Sequence, residues 1–292
     1  MGDMRKHYLT NPRKHYLINP TWQCTSKCPE CWLNSTIRAR GALKESQERP
    51  LKDWVQAIER DKPDVIDIAG GEPMLISWVG DLINAVPDVR FGLSTNGMLA
   101  GEIERQLCSS RLPNLISVNV SLHPRAGYTN WRRSIISLLD TGYHVISNVV
   151  VWGDNVRLVE EQAVWAKEQG VDVVYSPFED MRDLLETTNT PLYCDAGHNH
   201  LVVAPDGRAW PCLTTLRSPW WRETVLGNWL DDSVDLGKVR QPCYLYCLDY
   251  YVLAKKHPAG DMWGVNVREG AAATWQGRSA LRILKGGPTK DT

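Results

Sequence analysis

Net charge is almost absent from this chain. Across 292 residues, 33 Lys and Arg stand against 34 Asp and Glu, leaving −1 at neutral pH. No global field therefore recruits nucleic acid or an anionic membrane surface. A run of about 18 apolar residues is also missing, which excludes a spanning helix on pattern. Met1 to Lys14 is charged and has no apolar segment of the secretory kind, so no signal peptide is expected. Eight cysteines are too few for a disulfide scaffold at this length. Their clustered spacing points to metal binding in a reducing, cytoplasmic setting. Solenoid repeats are lacking too: Arg5 to Pro12 is echoed once, by Arg13 to Pro20, and one short unit builds no array. Tryptophan, by contrast, is abundant at 13 residues, and most are expected in the core or at interfaces.

The organising stretch is Cys24-Thr25-Ser26-Lys27-Cys28-Pro29-Glu30-Cys31, directly after the apolar, strand-like run His15 to Trp22. Three thiolates at C-x3-C-x2-C can hold three irons of a [4Fe-4S] cube. The fourth iron is then open to a substrate or cofactor. Zinc, the competing occupant, usually takes four protein ligands, arranged in pairs such as C-x2-C.

Hydrophobic periodicity lays out the rest. Helices are expected at Leu51–Asp61, Met74–Val86, Ala100–Ser109, Trp131–Asp140 and Asn155–Gln169. Short apolar strands fall between them at Val65–Ala69, Arg90–Ser94, Leu115–Leu122, Val145–Trp152 and Val171–Ser176. With the first strand these make six, alternating with helices, which argues a parallel sheet with right-handed crossovers. The expected fold class is α/β: a partial (β/α)6 TIM-like barrel at 15–186, preceded by an arm at 1–14. A small second domain is expected at 187–254 and a tail at 255–292.

In such a barrel the active site lies at the C-terminal strand ends. Gly70-Gly71-Glu72-Pro73 follows the second strand, where glycines permit close approach of a ligand and positive φ. The same four residues also suit an ordinary strand-to-helix turn, with Pro73 at the helix start. Ser94, Thr95 and Asn96 close the third strand, either as ligand-binding groups or as a capping turn before Gly97. Ser117, Asn119 and Ser121 share one face of the fourth strand and Ile116, Val118 and Val120 the other. The polar face is expected to point into the barrel. Asn148 interrupts the mostly apolar fifth strand, with Val149 and Val150 beside it.

Together these motifs resemble the radical S-adenosylmethionine (radical SAM) superfamily. The likeness rests on the cysteine spacing, on Trp32 after the last cysteine, and on the order of the glycine and polar motifs. It implies a [4Fe-4S] cluster on Cys24, Cys28 and Cys31 whose open iron chelates S-adenosylmethionine. Reductive cleavage then gives methionine and a 5'-deoxyadenosyl radical that abstracts a substrate hydrogen atom. Gly70, Gly71, Glu72 and Pro73 would match the family's GGEP loop, whose backbone receives the amino group of the cofactor. Glu72 itself would orient that loop. Ser94, Thr95 and Asn96 would bind the ribose or methionine part, with Asn119 a further cofactor-binding residue. Ser121 and either Arg132 or Arg133, with Arg132 favoured, would sit near the carboxylate. Asn148 would lie beneath the adenine, where Val149 or Val150 would supply backbone contacts.

A second cysteine set comprises Cys194, Cys212, Cys243 and Cys247. Pro205-Asp206-Gly207 marks a hairpin turn between Leu201–Ala204 and Arg208–Trp210, which would bring Cys194 and Cys212 together. Four thiolates can ligate a second [4Fe-4S] cube or a zinc ion. The set resembles a twitch domain, the shortened SPASM extension, and so implies one auxiliary [4Fe-4S] cluster. The C-x3-C spacing of the last pair departs from some relatives and leaves a ligand swap open, with Asp195, His198 and His200 nearby.

The resemblance implies an enzyme, an oxidoreductase in natural-product or cofactor biosynthesis. The first reading is oxidation of a polar small molecule, carbinol to ketone, with the auxiliary cluster as electron acceptor. Glu179 and Asp180 are the catalytic candidates, with His123, Arg182, Tyr175 and Phe178 around the mouth. An alternative is crosslinking or epimerisation of a ribosomally made peptide; an epimerase needs a hydrogen donor, and Cys108 is the spare cysteine, although its helix position favours a buried structural thiol. A flavodoxin- or ferredoxin-type protein would supply electrons. A non-enzymatic iron-sulfur carrier is the reading of a different class.

Overall fold

The computed structural model describes residues 14–28, 31, 47–122, 128–151, 156–177, 187–192, 200–217, 222–232, 234 and 243–245. Strand β1 (His15–Ile18) is followed by helix α1 (Leu51–Asp61), β2 (Val65–Ile68), a 3-10 turn (Pro73–Leu75) and α2 (Val79–Ala85). Next come β3 (Arg90–Thr95), α3 (Ala100–Ile103) with a π-helical extension (Glu104–Cys108), β4 (Leu115–Val120), α4 (Tyr128–Asp140), β5 (Val145–Val151), α5 (Val156–Glu168) and β6 (Asp172–Pro177). The later elements are β7 (Thr187–Leu192), β8 (His200–Val203), β9 (Arg208–Trp210), α6 (Leu213–Arg217), β10 (Gly227–Asn228) and β11 (Cys243–Leu245).

The six strands β1 to β6 lie side by side in sequence order, all parallel. This is the order that alternating strands and helices give when every crossover has one hand. The expected hairpin forms as β8 and β9. It does not stand apart from the barrel strands, because β8 pairs in parallel with β1, His15 opposite His200 and Ile18 opposite Val203. The sheet therefore runs β10-β9-β8-β1-β2-β3-β4-β5-β6. A separate antiparallel pair joins β7 to β11 and sets Cys243 opposite Leu192.

The two faces of the sheet differ as period-two alternation requires. Tyr16, Ile18, Ile66, Ile68, Phe91, Leu93, Val118, Val120 and Val149 pack under the helices in one large core with Trp54, Ile58, Leu82, Leu107, Trp131 and Leu138. On the opposite face the register aligns Leu17, Val202, Asp67, Gly92 and Ser117 in one row. Ser94 and Asn119 lie one row nearer the strand ends. The expectation for β4 holds for Val118 and Val120, which are fully buried under helices, with Ser117 and Asn119 on the other side.

One expected helix is broken. Met74–Val86 becomes a 3-10 turn and α2, because Ile76 adopts extended backbone at φ −85°, ψ 120°. Glu72 caps the turn by accepting from Met74 N at 3.1 Å, and Pro73 opens it with no N–H to lose. Among the described residues, no helix is long and apolar enough to cross a membrane.

Asp61, the last residue of α1, ties three distant segments together. Its carboxylate accepts from Lys14 Nζ at 2.5 Å, Tyr16 Oη at 2.6 Å and Trp229 Nε1 at 3.1 Å. Burial alone would raise its pKa, but these hydrogen bonds and the Lys14 charge outweigh it and hold the carboxyl below its ordinary 3.8. A depressed folded-state value means stability that is present above 3.8 and lost as pH falls through the folded value. Asp61→Asn should therefore cost about 1–3 kcal/mol at neutral pH. Urea unfolding of both proteins checks this, and the gap should narrow below the ordinary carboxylate value.

Candidate functional site

The cysteine loop leaves the C-terminal end of β1. Cys28 is buried, and Cys24 and Cys31 are half-buried. Cys31 N donates to Cys28 O at 3.1 Å, which holds the last two cysteines of the motif near each other. Burial pushes the Cys24 thiol up, and the Glu72 and Cys31 charges add to this; hydrogen bonds from Ser26 N and the Asn96 amide oppose it. A thiolate at such a position calls for a cation beside it, and iron meets that need. Among the described residues, no three His, Cys, Asp or Glu side chains surround one point as a single metal ion requires. A cube makes a different demand, since each of its three sulfurs binds its own iron.

The glycine loop continues the β1–β2 pairing beyond the strands. Ala69 N donates to Ile18 O at 2.9 Å, Gly71 N to Thr21 O at 2.9 Å and Glu72 N to Gln23 O at 2.7 Å. Side chains would not fit there. A Cβ on Gly70, where φ is +120°, would stand 2.4 Å from Thr21 O. One on Gly71 would stand 2.0 Å from Gln23 O and 2.6 Å from Trp22 O. These glycines thus admit the backbone that enters the cysteine loop, whereas the sequence suggested room for a ligand. With the N–H groups of Gly71 and Glu72 engaged, it is carbonyl oxygens that this loop can offer to a ligand ammonium.

Glu72 is 0% exposed and locks the loops from within. It accepts from Met74 N at 3.1 Å, Thr95 Oγ1 at 2.7 Å and Asn96 N at 2.8 Å. Burial raises its pKa against the pull of these three donors. Asn96 then reaches the cysteine loop: Nδ2 donates to Thr25 Oγ1 at 3.0 Å and lies 3.5 Å from Ser26 Oγ and 3.7 Å from Cys24 Sγ. Its Oδ1 accepts from Met98 N at 2.9 Å. The loops after β1, β2 and β3 are in this way one hydrogen-bonded unit.

Further round the sheet, Asn119 is 5% exposed and its Oδ1 has no partner among the described residues. Ser121 is half-buried and its N donates to Thr95 O at 2.8 Å. Ser94 and Asn148 are half-buried, Asn148 O accepts from Leu122 N at 2.8 Å, and the backbone of Val150 pairs with Ser176. Arg132 and Arg133 engage helices. Arg132 Nε donates to Gln162 Oε1 on α5 at 2.9 Å with its guanidinium 4.7 Å over Trp165, and exposed Arg133 pairs with Glu104. Cys212 is buried and its Sγ accepts from Thr215 N at 3.4 Å. Trp32, Glu179, Asp180, Cys194 and Cys247 lie outside the described residues, as do His123, Phe178 and Arg182.

Asn19 and the contact of His15 with Asp67 and His200 escaped the reading of the sequence, which named His200 only as a substitute ligand for the second cysteine set. Asn19, at the end of β1, is 0% exposed; its N and Nδ2 both donate to Val203 O at 2.9 Å, and its Oδ1 has no partner among the described residues. A polar residue closing an apolar strand was the available signal. Deeper on the same face, His15 Nε2 donates to Asp67 Oδ2 at 2.6 Å, and His200 Nδ1 donates to His15 O at 2.8 Å. Burial and the neighbouring His15 push His200 down to about 3, which keeps it neutral. No sequence signal joins His15 to His200, because 184 residues separate them in the chain and only the sheet aligns them.

Among the described residues, Asn19 Oδ1, beside Gly70, and Asn119 Oδ1, on β4 opposite Ser94, are buried acceptors without a partner, and a ligand carrying an ammonium and hydroxyls would supply donors to them. No protein-family model matches the sequence. No curated protein shows significant sequence similarity to it. Solved structures do share the fold. SuiB from Streptococcus suis bound to S-adenosylmethionine superposes with a TM-score of 0.54 at 18% identity, covering 82% of this chain and 67% of that one. SuiB bound to precursor peptide SuiA gives 0.54 at 17% identity, covering 82% and 69%. The protein anSMEcpe with bound AdoMet gives 0.52 at 16% identity, covering 75% and 78%. At these identities the likeness is one of fold.

Proposed function

We propose that the chain is a radical SAM enzyme, an oxidoreductase acting through a [4Fe-4S] cluster on Cys24, Cys28 and Cys31. The observation that carries this is the joint of three loops: a C-x3-C-x2-C turn pinned by Glu72 and Asn96 at the C-terminal ends of a parallel sheet. The same fold holds S-adenosylmethionine in the solved proteins above. When bound, the cluster supplies the electron that cleaves S-adenosylmethionine to methionine and a 5'-deoxyadenosyl radical.

The residues of this chain bind, orient and exclude water. Gly70 and Gly71 carbonyls, Asn19 Oδ1 and Asn119 Oδ1 would receive the ammonium and ribose hydroxyls. Glu72, bonded to Met74, Thr95 and Asn96, would hold the loops that receive the cofactor. Ser94, Ser121, Asn148 and Val150 would complete the cofactor groove, with Trp32 beside the cluster.

The substrate we propose is a polar small molecule. Oxidising a carbinol to a ketone removes one hydrogen atom, one proton and one electron. The hydrogen atom would pass to the 5'-deoxyadenosyl group that the cofactor supplies, and the proton to a base such as Glu179 or Asp180. Cys194, Cys212, Cys243 and Cys247 would hold the acceptor of the electron, an auxiliary [4Fe-4S] cluster in a twitch domain at 187–254. The pairing of Cys243 with Leu192, two positions before Cys194, supports that grouping. A flavodoxin- or ferredoxin-type donor would reduce the first cluster. One finding favours a second reading, modification of a peptide: the fold is shared with SuiB in complex with a precursor peptide.

The test is 5'-deoxyadenosine formation after anaerobic reconstitution, with dithionite and S-adenosylmethionine. Product is expected from the wild type and none from Cys28→Ala. Iron-sulfur protein that forms no 5'-deoxyadenosine would leave the electron-carrier reading in its place.

A further inference from the structure

We infer that Asn96 is a positioning residue that raises the reduction potential of the cluster held by Cys24, Cys28 and Cys31. The inference rests on the function proposed above. It gives Asn96 a different role from the cofactor-binding one that the sequence suggested.

Both ends of the Asn96 amide are already engaged. Oδ1 accepts from Met98 N at 2.9 Å, which fixes the amide so that Nδ2 faces the cysteine loop. Nδ2 carries two hydrogens, and its neighbours are Thr25 Oγ1 at 3.0 Å, Ser26 Oγ at 3.5 Å and Cys24 Sγ at 3.7 Å. The backbone of Asn96 is held by buried Glu72 at 2.8 Å, so the amide has little freedom to turn away. A one-electron reduction adds negative charge to the cluster and its thiolates. An N–H donor at sulfur stabilises that charge and so favours the reduced state. Ser26 N also donates to Cys24 Sγ, at 3.4 Å, but it is backbone. Asn96 is the side chain through which this sulfur can be tuned. The bond eases loading of the electron onto the cluster and lowers the driving force for passing it on, so it sets the balance between the two steps.

The test compares reconstituted wild type, Asn96→Asp, Asn96→Ala and Asn130→Ala by mediator titration read by EPR. Asn96→Asp is nearly isosteric and keeps an acceptor for Met98 N, but it replaces the donor to sulfur with a carboxylate oxygen. Asn130 donates to Met98 O at 3.2 Å and, among the described residues, bonds to no part of the cysteine loop, so it reports loosening alone. At a fixed poise, the reduced-to-oxidised ratio should fall about tenfold in Asn96→Asp, equivalent to 59 mV for one electron. Asn96→Ala should show a smaller fall, and Asn130→Ala should match the wild type. A ratio within about twofold of wild type in both Asn96 variants would overturn the inference while leaving the enzyme reading intact. Loss of iron from both variants with unchanged circular dichroism would also overturn it, since Asn96 would then serve assembly. A wild type that assembles no cluster would sink the function and this inference together.

Discussion

Replacing Cys24, Cys28 and Cys31 together by Ala is expected to remove one complete cluster. With two [4Fe-4S] sites, reconstituted wild type should hold about 8 irons and the triple variant about 4. Formation of 5'-deoxyadenosine should fall below detection in the variant. The effect is large because the loop offers no substitute ligand: the residues between the cysteines are Thr25, Ser26, Lys27, Pro29 and Glu30, and none has a thiolate's affinity for iron. Iron counting also reads the second cysteine set. About 4 irons in the wild type and none in the variant would remove the auxiliary cluster. Cys194, Cys212, Cys243 and Cys247 would then be zinc ligands or core thiols, and carbinol oxidation would lose its electron acceptor.

Gly71→Ala should be nearly as damaging, although it adds one methyl group. The new Cβ would lie 2.0 Å from Gln23 O, 2.6 Å from Gln23 C and 2.6 Å from Trp22 O, all of them backbone atoms. Backbone cannot rotate away as a side-chain tip can, so either the glycine loop or the entry to Cys24 must move. Overpacking of this kind costs about 1–3 kcal/mol. The larger consequence is at the site, since the displaced carbonyl of Gln23 is the acceptor for Glu72 N at 2.7 Å. Reconstituted Gly71→Ala should bind S-adenosylmethionine at least about tenfold more weakly, and its iron content should drop, because a 1 Å misplacement can cost about a hundredfold in function. Gly101→Ala is the control. Nothing lies within 4 Å of its Cβ position in α3, and it should be neutral or stabilising by about 0.5–1 kcal/mol. Urea unfolding with iron and ligand-binding assays separates the two outcomes. Equal behaviour of the two variants would show that the Gly71 contact yields without cost.

Much of the barrel was legible because its signals are local. Val145, Ile146 and Val149 of β5 and Trp54 and Ile58 of α1 bury where period and composition placed them. The hairpin at Pro205-Asp206-Gly207 was likewise set by its turn residues, with Gly207 at φ +90°. The helix proposed at Met74–Val86 was not legible as two pieces. Its break depends on Glu72, whose carboxylate is fixed by Thr95 and Asn96 more than twenty residues away.

The sequence by itself determined which chemistry is available and where along the chain it lies: three thiols after a first strand, glycines after the second, polar ends on the third and fourth. These follow from residue type and short spacing, which any stretch of chain carries with it. Only the tertiary structure decided what those residues do for one another. It turned Gly70 and Gly71 toward the backbone of Thr21 to Gln23, buried Glu72 as the acceptor that joins two loops, aimed Asn96 at Cys24, and drew Asn19 and His200 onto the inner face. Each of those contacts spans tens to nearly two hundred residues. The packing of the sheet alone brings such partners within hydrogen-bonding reach, and no local pattern in the sequence encodes it.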